Sequence, residues 1–153
     1  MATVALPWAY TLQLPHDPRA PGIARSTLRS VLRTHGMTDL VDAAELLASE
    51  LVTNAYLHSA GSYTLRLRAP DASGSGLRLS VWDSNPDIPA PFKGPLGDPP
   101  EVTAESGRGL HLVPLCADRW GAYPITTGLP GQGGKLLWVE CARKPECQWR
   151  HLV

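Results

Sequence analysis

Residues Tyr63-Thr64-Leu65-Arg66-Leu67-Arg68 and Leu77-Arg78-Leu79-Ser80-Val81-Trp82 alternate apolar with polar side chains. That period of two predicts half-buried strands, and Pro70 through Gly76 between them predicts an antiparallel hairpin. A period near 3.6 governs Val41, Ala44, Leu47, Ala48, Leu51, Val52 and Ala55, which line one stripe of a helix. Thr38 or Asp39 is placed to cap it, and Gly61 to end it. Ile23, Leu28, Val31 and Leu32 predict an earlier helix between Pro18 and Gly36. Ala9 to Leu14 is β-prone and is stopped by Pro15 and Pro18. Downstream, Asp118 to Ile125 and Lys135 to Cys141 predict two more strands around the turn 127–134. A helix is expected to open near Gly107 and run through Leu110, Leu112 and Val113, with Pro114 in its first turns.

The order is strand, two helices, two strands, long loop, helix, two strands. It predicts an α/β (α+β) two-layer sandwich: a mixed, mostly antiparallel sheet with helices on one face. The 153 residues suit one domain spanning 1–153, with its core at about 10–142. The loop 84–106 holds Pro86, Pro89, Pro91, Pro95, Pro99 and Pro100 and few large apolar residues besides Ile88, Phe92 and Leu96. So long a loop in a compact domain points to function, and its composition predicts mobility. The tail after Ala142 is expected to be poorly ordered.

Composition narrows the function classes. Lys+Arg 14 balance Asp+Glu 14, so no basic excess points to direct nucleic-acid binding. No apolar run is long enough to span a membrane, and the first residues lack the basic start of a signal peptide. Cys116, Cys141 and Cys147 are odd in number and have no CxxC spacing, which predicts reduced thiols in a cytoplasmic protein.

Four features carry candidate chemistry. Glu50, Asn54 and His58 stand four apart and share one face of the predicted helix. For each alone, and for His58 in particular, a solvent-facing polar position is the simpler explanation. Asp83 closes the apolar strand Val81-Trp82, although Asp83-Ser84-Asn85-Pro86 is also rich in turn formers. Gly107-Arg108-Gly109-Leu110 opens a helix after the long loop, where free N–H groups can meet a phosphate. Gly133-Gly134-Lys135 leads into the last strand and on its own reads as a hairpin turn.

Taken together, Glu50-Leu51-Val52-Thr53-Asn54-Ala55 with His58-Ser59, Asp83 at a strand end and Gly107-Arg108-Gly109-Leu110 resemble the N, G1 and G2 boxes of the GHKL (Bergerat-fold) ATPase superfamily. The chain is most similar to stand-alone histidine-kinase-like ATPase domains related to anti-sigma-factor serine/threonine kinases. The ending Ala117-Asp118-Arg119-Trp120-Gly121 and Gly134-Lys135-Leu136-Leu137-Trp138 fits that branch.

The resemblance implies ATP and Mg²⁺ as ligands. It implies Asn54 as the metal ligand and Glu50 as the general base. It implies Asp83 as acceptor for the adenine amino group and Gly107, Arg108, Gly109 and Leu110 as phosphate contacts, with 84–106 as the lid. It also implies an anti-sigma-factor antagonist (a STAS domain) as partner, a sigma factor as a further one, and a possible homodimer. Two positions depart from the family pattern. The G1 box reads Asp83-Ser84-Asn85-Pro86-Asp87, without glycine, and Leu136 stands where relatives often carry threonine. Intact Glu50 and Asn54 favour a serine/threonine kinase; the altered G1 box favours a non-catalytic protein-binding regulator. A detached sensor-kinase module is a third, weaker reading, because no phospho-acceptor helix is expected ahead of the domain.

Overall fold

A computed structural model describes residues 7–70, 76–93, 110–126 and 133–142. In chain order these form β1 (Ala9–Leu14), α1 (Ala20–Thr34), a 3-10 turn at Thr38–Leu40, α2 (Val41–His58), β2 (Tyr63–Arg68), β3 (Gly76–Asp83), α3 (Val113–Cys116), β4 (Arg119–Ile125) and β5 (Gly134–Ala142). The five strands form one sheet in the order β1-β2-β3-β5-β4. All four pairings are antiparallel, so the sheet is not mixed as expected. β5 returns between β3 and β4 and runs against both.

The two-residue period sets the register and the core. Leu65 opposes Val81 and Val81 opposes Leu137; Leu67 opposes Leu79 and Leu79 opposes Val139. These residues are buried and form one cluster with Ala20, Ala24, Leu28, Val31 and Leu32 of α1 and Ala44, Leu47, Ala48, Leu51, Val52 and Ala55 of α2. Helices therefore cover one face of the sheet, the two-layer α+β sandwich that the element order predicts. Each buried Leu of this cluster adds about 1.5–3 kcal/mol relative to an exposed position.

The helix ends follow local chemistry. Gly36 ends α1 at φ 72, the left-handed conformation that glycine adopts without a Cβ penalty. Met37 N–H donates to Leu32 O at 2.8 Å and Gly36 N–H to Arg33 O at 3.2 Å, a Schellman motif. At the start of α2 the N-cap position is held by neither Thr38 nor Asp39, and the residue that holds it makes no side-chain cap. The 3-10 turn feeds directly into the helix, and Leu40 takes the N-cap position.

Two further expectations change. α3 is only four residues long, with Pro114 in its first turn. Proline lacks the N–H that a helix interior needs, so the helix begins at Val113 and does not run through Pro114 from further back. The loop after β3 is anchored over its first ten residues: Phe92 is 7% exposed within the core and Ile88 packs against it. Apolar burial by these two side chains offsets the ordering cost that the prolines and polar residues suggested. Residues 94–106 of the expected lid, and the tail from 143 on, lie outside the described residues.

Candidate nucleotide site

The site is built on the C-terminal half of α2. Glu50 and Asn54 lie one turn apart on this helix, as their spacing requires. Asn54 is 8% exposed, and its Oδ1 is buried with no hydrogen-bond partner among the described residues. An unmet buried carbonyl oxygen costs about 1–3 kcal/mol, so this position is unfavourable without a ligand. An oxygen with free lone pairs is what a hard cation such as Mg²⁺ takes as a ligand, and the residue fits that ion. Among the described residues no group of three His, Cys, Asp or Glu could hold a metal. Any cation held here therefore draws most of its oxygens from elsewhere, as Mg²⁺ does from phosphates and water.

Glu50 is half-buried, and burial pushes its carboxyl above the ordinary value of 4.5, while the nearby His111 pulls it back. His111 follows Leu110, so the segment after the loop returns to the face of α2 that carries Glu50. A lone histidine after a leucine gave no sequence signal for this. Leu110 itself is 1% exposed, inside the core. Its carbonyl accepts from Val113 N–H at 3.1 Å. Gly107, Arg108 and Gly109 lie outside the described residues.

Asp83 ends β3 on the inward parity of the strand and is 1% exposed. It opposes Lys135 of β5, which is also 1% exposed, and Lys135 Nζ donates to Asp83 Oδ1 at 2.9 Å. The same oxygen accepts from Asn85 N–H at 2.8 Å, closing a turn that needs no glycine. Asn85 Oδ1 in turn accepts from Asp87 N–H at 2.9 Å, a second turn of the same kind. Both turns are held by side chains, and no non-glycine residue among those described has a positive φ.

Lys135 donates also to Asn85 O at 2.9 Å, and Asn85 Nδ2 to His58 O at 2.6 Å. The loop after Asp83 is thereby tied to β5 on one side and to the end of α2 on the other. His58 takes part through its backbone and its side chain is exposed, the simpler role. Gly134 is required here, because a Cβ would collide with the carbonyl oxygen of Asp83. Sequence reasoning read Lys135 as part of a hairpin turn and gave it no role of its own in the site. Its signal was parity: it alternates with Leu137, Val139 and Cys141, all buried.

The model of the histidine kinase-like ATPase domain family matches residues 14–128. A protein of Streptomyces coelicolor, "Uncharacterized protein SCO4941", is 34% identical over 73 residues. That alignment covers 48% of this chain and 66% of the relative, just under two thirds of its length.

Proposed function

Given that the chain belongs to the histidine kinase-like ATPase domain family, we propose that it is an ATP-binding regulator of the anti-sigma-factor type. In this reading it is a protein serine/threonine kinase whose substrate is an anti-sigma-factor antagonist with a STAS domain, and a sigma factor is a further partner. The observation that carries the proposal is the pairing on α2 of an unmet buried acceptor, Asn54 Oδ1, with a carboxyl of raised pKa, Glu50. The first suits a cation and the second a proton acceptor. When bound, Mg²⁺ supplies charge neutralisation to the phosphates.

The chain's own groups then have separate work. Glu50 accepts the proton of the substrate hydroxyl as its oxygen bonds to the γ-phosphorus and the bond to the ADP oxygen breaks. His111 stands near enough to Glu50 to influence its charge. Asp83 offers an acceptor to the adenine amino group, and Gly107, Arg108, Gly109 and Leu110 are the phosphate contacts of this reading.

The test is transfer of labelled phosphate from Mg–ATP to a cognate STAS protein. Glu50→Gln should leave ATP binding nearly intact and lower transfer by about 10²–10⁴-fold. ATP binding without any transfer by wild type would support the second reading, a non-catalytic protein-binding regulator. The absence at Leu136 of the hydroxyl that relatives often carry favours that reading.

A further inference from the structure

We infer that Lys135 is the specificity-determining residue of the nucleotide site, selecting adenine over guanine by occupying one oxygen of Asp83. The inference rests on the nucleotide reading above and adds the means of selection. A carboxylate has two acceptor oxygens with about two lone pairs each. On Asp83 both lone pairs of Oδ1 are engaged, one by Lys135 Nζ at 2.9 Å and the other by Asn85 N–H at 2.8 Å. Asp83 is 1% exposed, so a base that reaches this side chain finds Oδ1 filled and has at most Oδ2 to pair with.

The two purines make different demands on a carboxylate. Guanine presents N1–H and the N2 amino group side by side, a donor pair whose full pairing uses both carboxylate oxygens. Adenine presents a single amino group and is satisfied by one oxygen. With Oδ1 filled, a guanine donor aimed at it meets two other donors, and the pairing fails by repulsion as well as by lack of an acceptor. Lys135 cannot easily withdraw. It is 1% exposed, holds Asn85 O at 2.9 Å as well, and follows Gly134, which sits against the Asp83 backbone. Selection therefore comes from a contact that excludes guanine while Lys135 itself stays away from the base.

The experiment is calorimetric titration of the full chain with Mg–ATP and Mg–GTP, comparing wild type, Lys135→Met and Asp83→Asn. Wild type should bind ATP more tightly than GTP by about tenfold or more, the worth of one well-made hydrogen bond. Lys135→Met frees Oδ1, and the preference should shrink to a few-fold, with GTP gaining relative to ATP. A general structural defect would weaken both nucleotides together and leave the ratio alone.

Asp83→Asn gives an independent answer if Lys135→Met folds poorly. Lys135 and Asn85 N–H both demand an oxygen, so they orient the new amide with its NH2 toward the base. That group donates to guanine O6 and repels the adenine amino group, so the preference should reverse. An amide not oriented by Lys135 would turn over and keep the preference for ATP. Unchanged ATP-to-GTP ratios in the folded variants, or equal binding of both by wild type, would overturn the inference and leave the nucleotide site standing. Binding of neither nucleotide by wild type would overturn both.

Discussion

Replacing Lys135 by methionine removes an ammonium and keeps most of the apolar stem. In the wild-type protein Lys135 and Asp83 are each 1% exposed and 2.9 Å apart. The variant leaves the Asp83 carboxylate buried with only the Asn85 N–H on Oδ1, and takes the Lys135 donor from Asn85 O. Breaking a buried pair from one side costs about 3–5 kcal/mol, because the remaining charge has no compensation. In a chain of this size each kcal/mol is worth about 2–4 °C, so the melting temperature should fall by about 6–20 °C. Small domains have about 5–15 kcal/mol in total, which leaves most of that range folded at room temperature.

Differential scanning calorimetry or a denaturant titration of wild type, Lys135→Met, Asp83→Asn and the double variant measures the effect as a cycle. The double variant removes both charges and should be more stable than Lys135→Met alone, with a coupling of about 1–3 kcal/mol. A Lys135→Met protein within about 1 kcal/mol of wild type, or strictly additive effects, would refute the reasoning that a buried ion pair closes this end of the sheet.

Gly134→Ala should destabilise by about 1–3 kcal/mol, since its Cβ meets the Asp83 carbonyl oxygen and must push β3 from β5; urea midpoints check this. Glu50→Gln should raise the melting temperature at neutral pH. The folded state holds the Glu50 proton more tightly than the unfolded chain does, so the residue's favourable contribution is present below 4.5 and is lost as pH rises through its raised value. The advantage of the variant should accordingly close as pH falls below that point, and melts across pH read it directly. Cys141, buried and with its thiol pushed up to about 12, should stay unalkylated by iodoacetamide in the native protein at pH 8 and react on unfolding, as peptide mapping would show.

Much of the scaffold was legible because its elements have a single clean period. β1 and β2 begin and end where the pattern of apolar residues and prolines puts them, and Gly36 stops α1 for the backbone reason glycines usually do. α3 was misplaced because the glycines at 107 and 109 and the apolar residues after them read as a helix start, whereas Pro114 sets the first turn. The anchoring of Phe92 escaped notice because one aromatic side chain among prolines has no period to reveal it.

At the site, Glu50, Asn54 and Asp83 were visible as residue types at meaningful spacings. Lys135 was visible only as part of a Gly-Gly-Lys hairpin turn, a pattern that says nothing about which way its side chain faces. Only the register of β5 against β3 shows that it faces inward at Asp83. His111 became visible through tertiary return to α2, which no local pattern encodes.

The central claim is that α2 and the ends of β3 and β5 frame a Mg–ATP site. Thermal melting with and without Mg–ATP, on wild type and Asn54→Ala, tests it most directly. ATP at a hundredfold excess over its dissociation constant should add about 2.7 kcal/mol to wild type, a rise of about 5–10 °C. Asn54→Ala removes the unmet oxygen, so without nucleotide it should melt within about 1 kcal/mol of wild type, the lost strain offsetting the small cavity. Its shift with Mg–ATP should be largely lost. A wild-type protein that does not shift with millimolar Mg–ATP, or an Asn54→Ala variant that shifts as fully as wild type, would contradict the account.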